Sequence, residues 1–220
     1  MKTNVRNPRE LVDEFSPVMK LVYLAMFGDI VDIDQTKSHL VRISRLAYND
    51  ELSIQAERVG CAGRSGRLTN GQILSELSDM FKPDALSIIN TYNYDLAVSI
   101  AFIKQGNKFA NRHSYARKLV EWQQNRSKWK VPQINQVTIG KARAKAQQDF
   151  IDQNQLDGTA LLTPRTAVCP ICQGWIKRGV IPARVAKNNP PPYHINCPHI
   201  FSYRYKKIPQ GDCADLWMGD

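Results

Sequence analysis

Four residues near the C-terminus have the types and the spacing of metal ligands. Cys169 and Cys172 lie three positions apart, and a second pair with the same spacing follows after a basic stretch of 21 residues. Thiolate and imidazole groups are the usual ligands of structural zinc, and four of them complete its tetrahedral coordination. The pattern therefore predicts a zinc site. Its predicted ligands are Cys169, Cys172, His194 and Cys197, with His199 as the alternative to His194.

The same residues offer two other chemistries. A Cys-x-x-Cys pair is also typical of redox proteins, but no βαβ pattern surrounds this one and a second ligand pair follows it. The stretch HINCPH (194–199) is similar to part of the metal-dependent nucleases of the His-Asn-His kind. However, no acid lies between Asp157 and Asp212, and four protein ligands would leave no open position on the metal. We therefore expect a structural metal site and no enzymatic activity.

The residues around the two pairs favour tight turns. Pro170 restricts the backbone within the first pair, and Gly174 permits a left-handed residue just after it. The stiff NNPPPY run (188–193) leads into the second pair. This part of the chain has few apolar residues for its length, so we expect the metal to supply folding free energy that its core cannot.

Positive charge is concentrated in one half of the chain. The protein has 220 residues and a formal net charge of +10. Residues 104–207 carry 19 Lys and Arg but four acids, which is a net +15 and leaves −5 elsewhere. A segment of this kind favours a polyanionic partner or an acidic protein surface, and the alternative is a solvated face that aids solubility. A polyanion is favoured over the solvated face, because the excess positive charge is concentrated in one segment.

The remaining cysteines and the N-terminus bear on the folding environment. The sequence begins MKTNVRNPRELVDEF, which has no secretory signal, and no apolar run is long enough to span a membrane. We therefore expect a reducing compartment and no membrane association. The count of five cysteines is odd, so Cys61 and Cys213 are interpreted as isolated thiols.

Hydrophobic periodicity predicts a helical protein with a small mixed segment at its end. A helix break is expected near Asn49 and Asp50. Pro83 and Pro132 are each expected to separate two helices. Thr138 is a predicted N-cap. Predicted helices cover 8–27, 37–59, 71–81, 84–105, 112–130 and 134–154, with a flexible glycine-rich loop at 60–71. Predicted strands lie in TALLTPRTAVCP, GVIPARV and HIFSYRYKKI. The predicted fold class is mainly α with a small α+β zinc-knuckle lobe. The predicted domains are 1–155 (α-helical), 156–208 (zinc lobe) and 209–220 (acidic tail).

Aromatic side chains recur along one basic helix, and the tail carries a second group of apolar side chains. Tyr115, Trp122 and Trp129 are spaced along one basic helix, which favours core packing over a surface for stacking nucleotides. In the tail, Leu216 and Trp217 form a candidate docking spot.

The Cys and His pairs resemble the C-terminal signature of the tailed-phage head morphogenesis family, also called minor head or minor capsid proteins. That signature reads C-P-x-C, then a variable loop, then P-P-x-H-x-N-C. The matching residues are Cys169, Pro170, Cys172, Pro191, Pro192, His194, Asn196 and Cys197. Upstream, VTIGKARAKAQQDFIDQN and INTYNYDLAVSI resemble helices of the family. Where the family often has Arg-Cys after the last Cys, this chain has Pro198-His199, which leaves the fourth ligand open.

The resemblance implies a virion protein in several copies, near the portal of a phage head. It implies contact with the portal or the major capsid protein, a role in head assembly or genome packaging and ejection, and presence in the host cytoplasm during assembly. It implies no catalytic activity. Two alternatives stay open: a free zinc-dependent nucleic-acid-binding protein, and a nuclease of the His-Asn-His kind.

Overall fold

The protein is mainly helical, with a small antiparallel sheet near its C-terminus. The computed structural model describes residues 33–106, 112–194, 197–206, 208 and 210–220. Its elements are α1 (Ile33–Val59), α2 (Gly71–Gly106), α3 (Arg112–Gln153), β1 (Gly158–Thr163), α4 (Pro170–Arg178), β2 (Ile181–Pro182), α5 (Ala183–Lys187), β3 (Ile200–Tyr205) and a 3₁₀ helix (Gln210–Asp215). The predicted combination of helices with a small mixed C-terminal segment is confirmed. The predicted helix at 8–27 lies outside the described residues, and the domain boundaries stay a prediction.

The helical body is built around α1, which contacts both α2 and α3. Leu40, Tyr48 and Leu52 of α1 are fully buried, and α2 contributes Leu77 and Phe81 to the same core. These residues lie four or eight positions apart along each helix, which places them on one face. No helix among the described residues is both long and apolar enough to cross a membrane.

Two prolines lie inside helices, so the predicted helix boundaries at Pro83 and Pro132 are wrong. Each costs a helix interior about 3 kcal/mol, yet α2 and α3 continue through them. Packing on both sides offsets this cost, since Phe81 and Ala85 are buried around Pro83. Thr138 is also not an N-cap, because it lies within α3 and its hydroxyl donates to the Ile134 carbonyl oxygen at 2.8 Å.

The predicted break near Asn49 is also absent, because α1 runs through it. Instead, the Asn49 side chain accepts a hydrogen bond from the Leu68 amide at 2.7 Å, and the Ser53 hydroxyl accepts one from the Gly66 amide at 2.8 Å. A Cβ atom at position 66 would lie 2.3 Å from the Asn49 carbonyl oxygen, so only glycine fits this approach. The glycine-rich loop is therefore held against α1 and is not a free turn.

Cys61 and Cys213 form a disulfide, so the interpretation of both as isolated thiols is wrong. Their Cα atoms lie 5.5 Å apart although 152 positions separate them in sequence. The C-terminal tail returns to the helical body beyond the bridge. Leu216 and Met218 are buried in its core, and the Met218 carbonyl oxygen accepts from the Arg67 amide at 2.9 Å. The candidate docking spot in the tail is thus occupied within the chain.

The sheet has the order β2-β1-β3 and both pairings are antiparallel. Ala160 of β1 lies opposite Tyr203 of β3, and Thr159 of β1 lies opposite Pro182 of β2. The predicted strand in GVIPARV is only two residues long, because α5 begins at Ala183. We call residues 158–206 the C-terminal lobe. Its core includes Leu162, Cys172, Ala186, Cys197 and Phe201, so two of the predicted metal ligands are core residues.

A buried polar network joins the lobe to the helical body. Arg143 of α3 donates to Glu51 of α1 at 2.7 Å, with 8% and 1% of their side chains exposed. Gln147 donates to Glu51 at 2.8 Å and to the Phe201 carbonyl oxygen of β3 at 3.1 Å. The Tyr205 hydroxyl donates to Gln55 at 3.0 Å, and Gln55 also contacts Glu51. The sheet is therefore anchored to α1 and α3.

Candidate metal centre

The first ligand pair lies at the N-terminus of α4. Cys169 is the residue preceding the helix, Pro170 occupies its first turn, and the Gln173 amide donates to the Cys169 carbonyl oxygen at 2.9 Å. A helical first turn brings residues three positions apart onto one side, which is the close approach that the spacing predicted. Gly174 does not contribute to it, because it lies inside the helix and a Cβ atom there would meet nothing within 4 Å.

The second pair lies in the segment between α5 and β3. The Cys197 amide donates to the His194 carbonyl oxygen at 3.1 Å, which closes a turn between the two residues. The proline run before it packs against α3, where a Cβ atom at Gly140 would lie 3.4 Å from Pro192. The Tyr193 hydroxyl donates to the Asn189 carbonyl oxygen at 2.8 Å. The run therefore packs on α3 at Pro192 and is closed by a hydrogen bond between its own residues.

Five side chains form two overlapping groups with the geometry to hold a metal ion. The first group is Cys169, Cys172 and His194, and the second is Cys172, Cys197 and His199. Within each group the ligand atoms lie within 4.8 Å of one another. All four predicted ligands and the alternative His199 are therefore brought together, with Cys172 common to both groups. That these residues bind a metal stays a prediction.

The sulfur separation fits tetrahedral coordination. Cys172 Sγ lies 3.7 Å from Cys197 Sγ. With Zn–S bonds of about 2.3 Å, two sulfurs of a tetrahedron are about 3.8 Å apart. Cys197 Sγ is also 3.7 Å from His199 Nδ1, and Cys172 Sγ is 3.9 Å from His194 Nε2. These three separations are close to those that a zinc ion would impose on the same pairs of atoms.

The two histidines differ in their surroundings. His199 is buried, and its Nε2 lies 3.0 Å from the Thr166 carbonyl oxygen. A carbonyl oxygen can only accept, so Nε2 carries the proton and Nδ1 presents its lone pair to Cys197. This is the outer hydrogen bond that orients metal-bound histidines. His194 is exposed to solvent. Sequence reasoning gave His199 only as an alternative, and no local signal pointed to Thr166.

The thiols at the centre respond to burial and to each other. Burial, then the neighbouring Cys197 and Cys169, raises the pKa of the Cys172 thiol to about 12. The backbone amide of Cys172, and to a lesser extent that of Ile171, lowers the pKa of the Cys169 thiol. Adjacent thiolates repel one another, so a cation between them would stabilise the ionised forms. The centre is therefore suited to a positively charged guest.

Aromatic side chains pack in the same hydrophobic cluster as Cys172 and Cys197. The rings of Trp175 and Tyr193 are stacked with centroids 6.4 Å apart, and Phe201 meets Trp175 edge-on at 5.8 Å. Burial, then the nearby Cys172 and Cys197, raises the pKa of Tyr193. An apolar shell of this kind limits the access of water to a metal site.

Soft ligands alone make up the centre. Among the described residues, the two overlapping groups are the candidate metal sites, and neither contains a carboxylate. Thiolate and imidazole favour zinc over hard cations such as Mg²⁺, which bind oxygen ligands. In the comparisons with known proteins, no protein-family model, no curated protein and no solved structure matches the chain.

Proposed function

We propose that this chain is a structural protein whose C-terminal lobe is held together by one zinc ion. The observation that carries this proposal is the 3.7 Å separation of the Cys172 and Cys197 sulfurs. Cys172 lies in α4 and Cys197 in the segment before β3, so an ion bound to both would join these two elements. When bound, zinc would supply folding free energy by cross-linking these two segments. Cys169 completes the sulfur ligands, and a histidine takes the fourth position.

The buried histidine is the better fourth ligand. His199 has the fixed tautomer and the hydrogen bond to Thr166 that a metal-bound imidazole needs. His194 is exposed, so a metal bound to it would be less shielded from water than one bound to the buried His199. With three thiolates and His199 the site is closed, and the protein is proposed to have no catalytic activity.

For its biological role, we propose a minor head protein of a tailed phage, located near the portal. The motif from Cys169 to Cys197 supports this role through its resemblance to the head morphogenesis family. The portal or the major capsid protein would be its protein partner, and packaged double-stranded DNA a non-specific one. The basic composition of residues 104–207 is consistent with contact to DNA.

A free zinc-dependent nucleic-acid-binding protein is the second candidate. The observation that favours it is the basic lobe, which could serve DNA binding outside a virion as well as inside one. A nuclease is a weaker candidate, because the described Cys and His groups contain no carboxylate.

Two measurements test these proposals. Elemental analysis of natively purified protein is expected to find one zinc per chain, and a metal content near zero would contradict the zinc site. Co-expression with the portal and major capsid proteins, followed by sedimentation, is expected to bring the chain down with heads or portal rings. If the chain stays in the supernatant while binding DNA, the second candidate replaces the first.

A further inference from the structure

Four cations of α3 pair with carboxylates inside the helical body. Arg126 pairs with Asp95 and Lys141 with Asp84, both at 2.7 Å. Lys145 pairs with Glu76 at 2.8 Å and also with Asp149. Together with the buried pair of Arg143 and Glu51, these contacts direct the charge of α3 towards carboxylates of α1 and α2. Four of the nine cations of α3 are thus compensated within the helical body.

The C-terminal lobe is different. Residues 158–211 contain no Asp or Glu. Lys187 pairs with Asp152 of α3. Six other cations of the lobe have no carboxylate partner among the described residues. These are Arg165, Lys177, Arg178, Arg184, Arg204 and Lys206.

Three of these cations stand close together along the chain. Lys177 and Arg178 end α4, and Arg184 lies in α5 six positions after Arg178, and all three are exposed. The Arg178 guanidinium lies 4.3 Å from the centroid of the Trp175 ring, which is itself stacked on Tyr193. This stacking holds the guanidinium in one orientation without neutralising its charge.

Intramolecular electrostatics does not account for the arrangement. The C-terminal end of α4 attracts Lys177 and Arg178, but Arg184 lies beyond that helix end. Like charges without partners repel one another and oppose folding of the lobe. A protein partner must place its own carboxylates opposite such cations, whereas a phosphodiester backbone is negative along its whole length. An acid-free lobe therefore matches nucleic acid better than it matches a protein.

We infer that Lys177, Arg178 and Arg184 contact the phosphate backbone of double-stranded DNA. This rests on the DNA contact in the proposed function and assigns it to the lobe rather than to α3. The contact is independent of base sequence, because cations recognise the phosphates alone. Zinc would act indirectly, since it fixes α4 and with it two of the three cations.

The test uses the zinc-loaded full chain and fluorescein-labelled duplexes of two unrelated sequences, with anisotropy measured at several salt concentrations. The variant is Lys177→Gln/Arg178→Gln/Arg184→Gln. The matched control removes three exposed cations of the helical body by Arg45→Gln/Arg117→Gln/Lys128→Gln. Both variants lose the same net charge, so a difference in their affinity for DNA shows that the position of the removed cations matters. Zinc content and thermal unfolding of each variant establish that the lobe is folded.

The lobe variant is expected to lose roughly tenfold or more in affinity at about 0.1 M salt, and the slope of log K against log salt should become shallower by about 2 to 3. The affinity and the salt dependence of the control variant are expected to change much less. Equal losses in the two variants, or no loss in the lobe variant, would overturn the assignment and leave the zinc site and the head association standing. Wild-type binding to polyglutamate but not to DNA would point to an acidic protein partner and would also overturn it.

Discussion

Arg143 and Glu51 form a buried ion pair, 2.7 Å long, where α3 crosses α1 beside the sheet. Glu51 also accepts from Gln147, which in turn donates to the Phe201 carbonyl oxygen of β3. One carboxylate therefore organises the contact between the helical body and the lobe. Because burial removes the solvation of both charges, each partner depends on the other.

Removing one member of this pair should destabilise the whole protein. Arg143→Ala leaves the Glu51 carboxylate buried without its cation, which is expected to lower the free energy of unfolding by about 3 to 5 kcal/mol. The free energy of unfolding is measured by urea denaturation, with circular dichroism as the signal. The control is Arg117→Ala, an exposed arginine of the same helix that pairs with Glu121 and should cost about 0.5 kcal/mol or less. Equal losses for both variants would show that the pair is not buried in solution.

The two histidines should differ in their effect on metal binding. His199→Ala is expected to weaken zinc affinity by about 100-fold or more, because it removes the proposed ligand that Thr166 holds in place. His194→Ala is the matched control and should change the affinity little. The affinity is measured by competition with a chromogenic chelator. The Co²⁺-substituted proteins supply a second readout, since loss of a ligand alters the visible absorption bands. The reverse order of the two variants would make His194 the fourth ligand.

Removal of the metal should loosen the lobe before the helical body. With a strong chelator, or in Cys172→Ser, we expect proteases to cleave within residues 164–199, because the metal would no longer join α4 to the segment before β3. The helices should keep their circular dichroism, since their core contains none of the ligands. Mass spectrometry of the first cleavage products locates the sites. A segment that stays resistant after complete metal removal would contradict the stapling role.

The disulfide should stabilise the fold through its long closed loop. Cys213→Ser is expected to lower the free energy of unfolding by about 2 to 4 kcal/mol. Alkylation of the unreduced protein, unfolded in denaturant with chelator, should modify Cys169, Cys172 and Cys197 only. Modification of all five cysteines would show that the bridge is not formed in the purified protein.

Parts of this structure were accessible from local sequence patterns. Three of these patterns depend on only a few neighbouring residues. They are the helical periodicity around Leu40, the strand bias in HIFSYRYKKI and the turn-forming spacing of Cys169 and Cys172. Such signals predicted the mainly helical class, the small sheet and the approach of the two ligand pairs. Local breaker signals misled at Pro83 and Pro132, because packing across α1, α2 and α3 outweighs the loss of single backbone hydrogen bonds.

The sequence by itself determined which side chains can bind a soft metal, because the distance between ligands three positions apart is governed by the local backbone. Only the tertiary structure decided which distant residues meet. It joined Cys61 to Cys213 across 152 positions and Arg143 to Glu51 across 92. It also paired four cations of α3 with carboxylates of the helical body, while six cations of the lobe have no carboxylate partner among the described residues. The physical reason is that burial and charge pairing depend on how helices pack, and no local pattern encodes that packing.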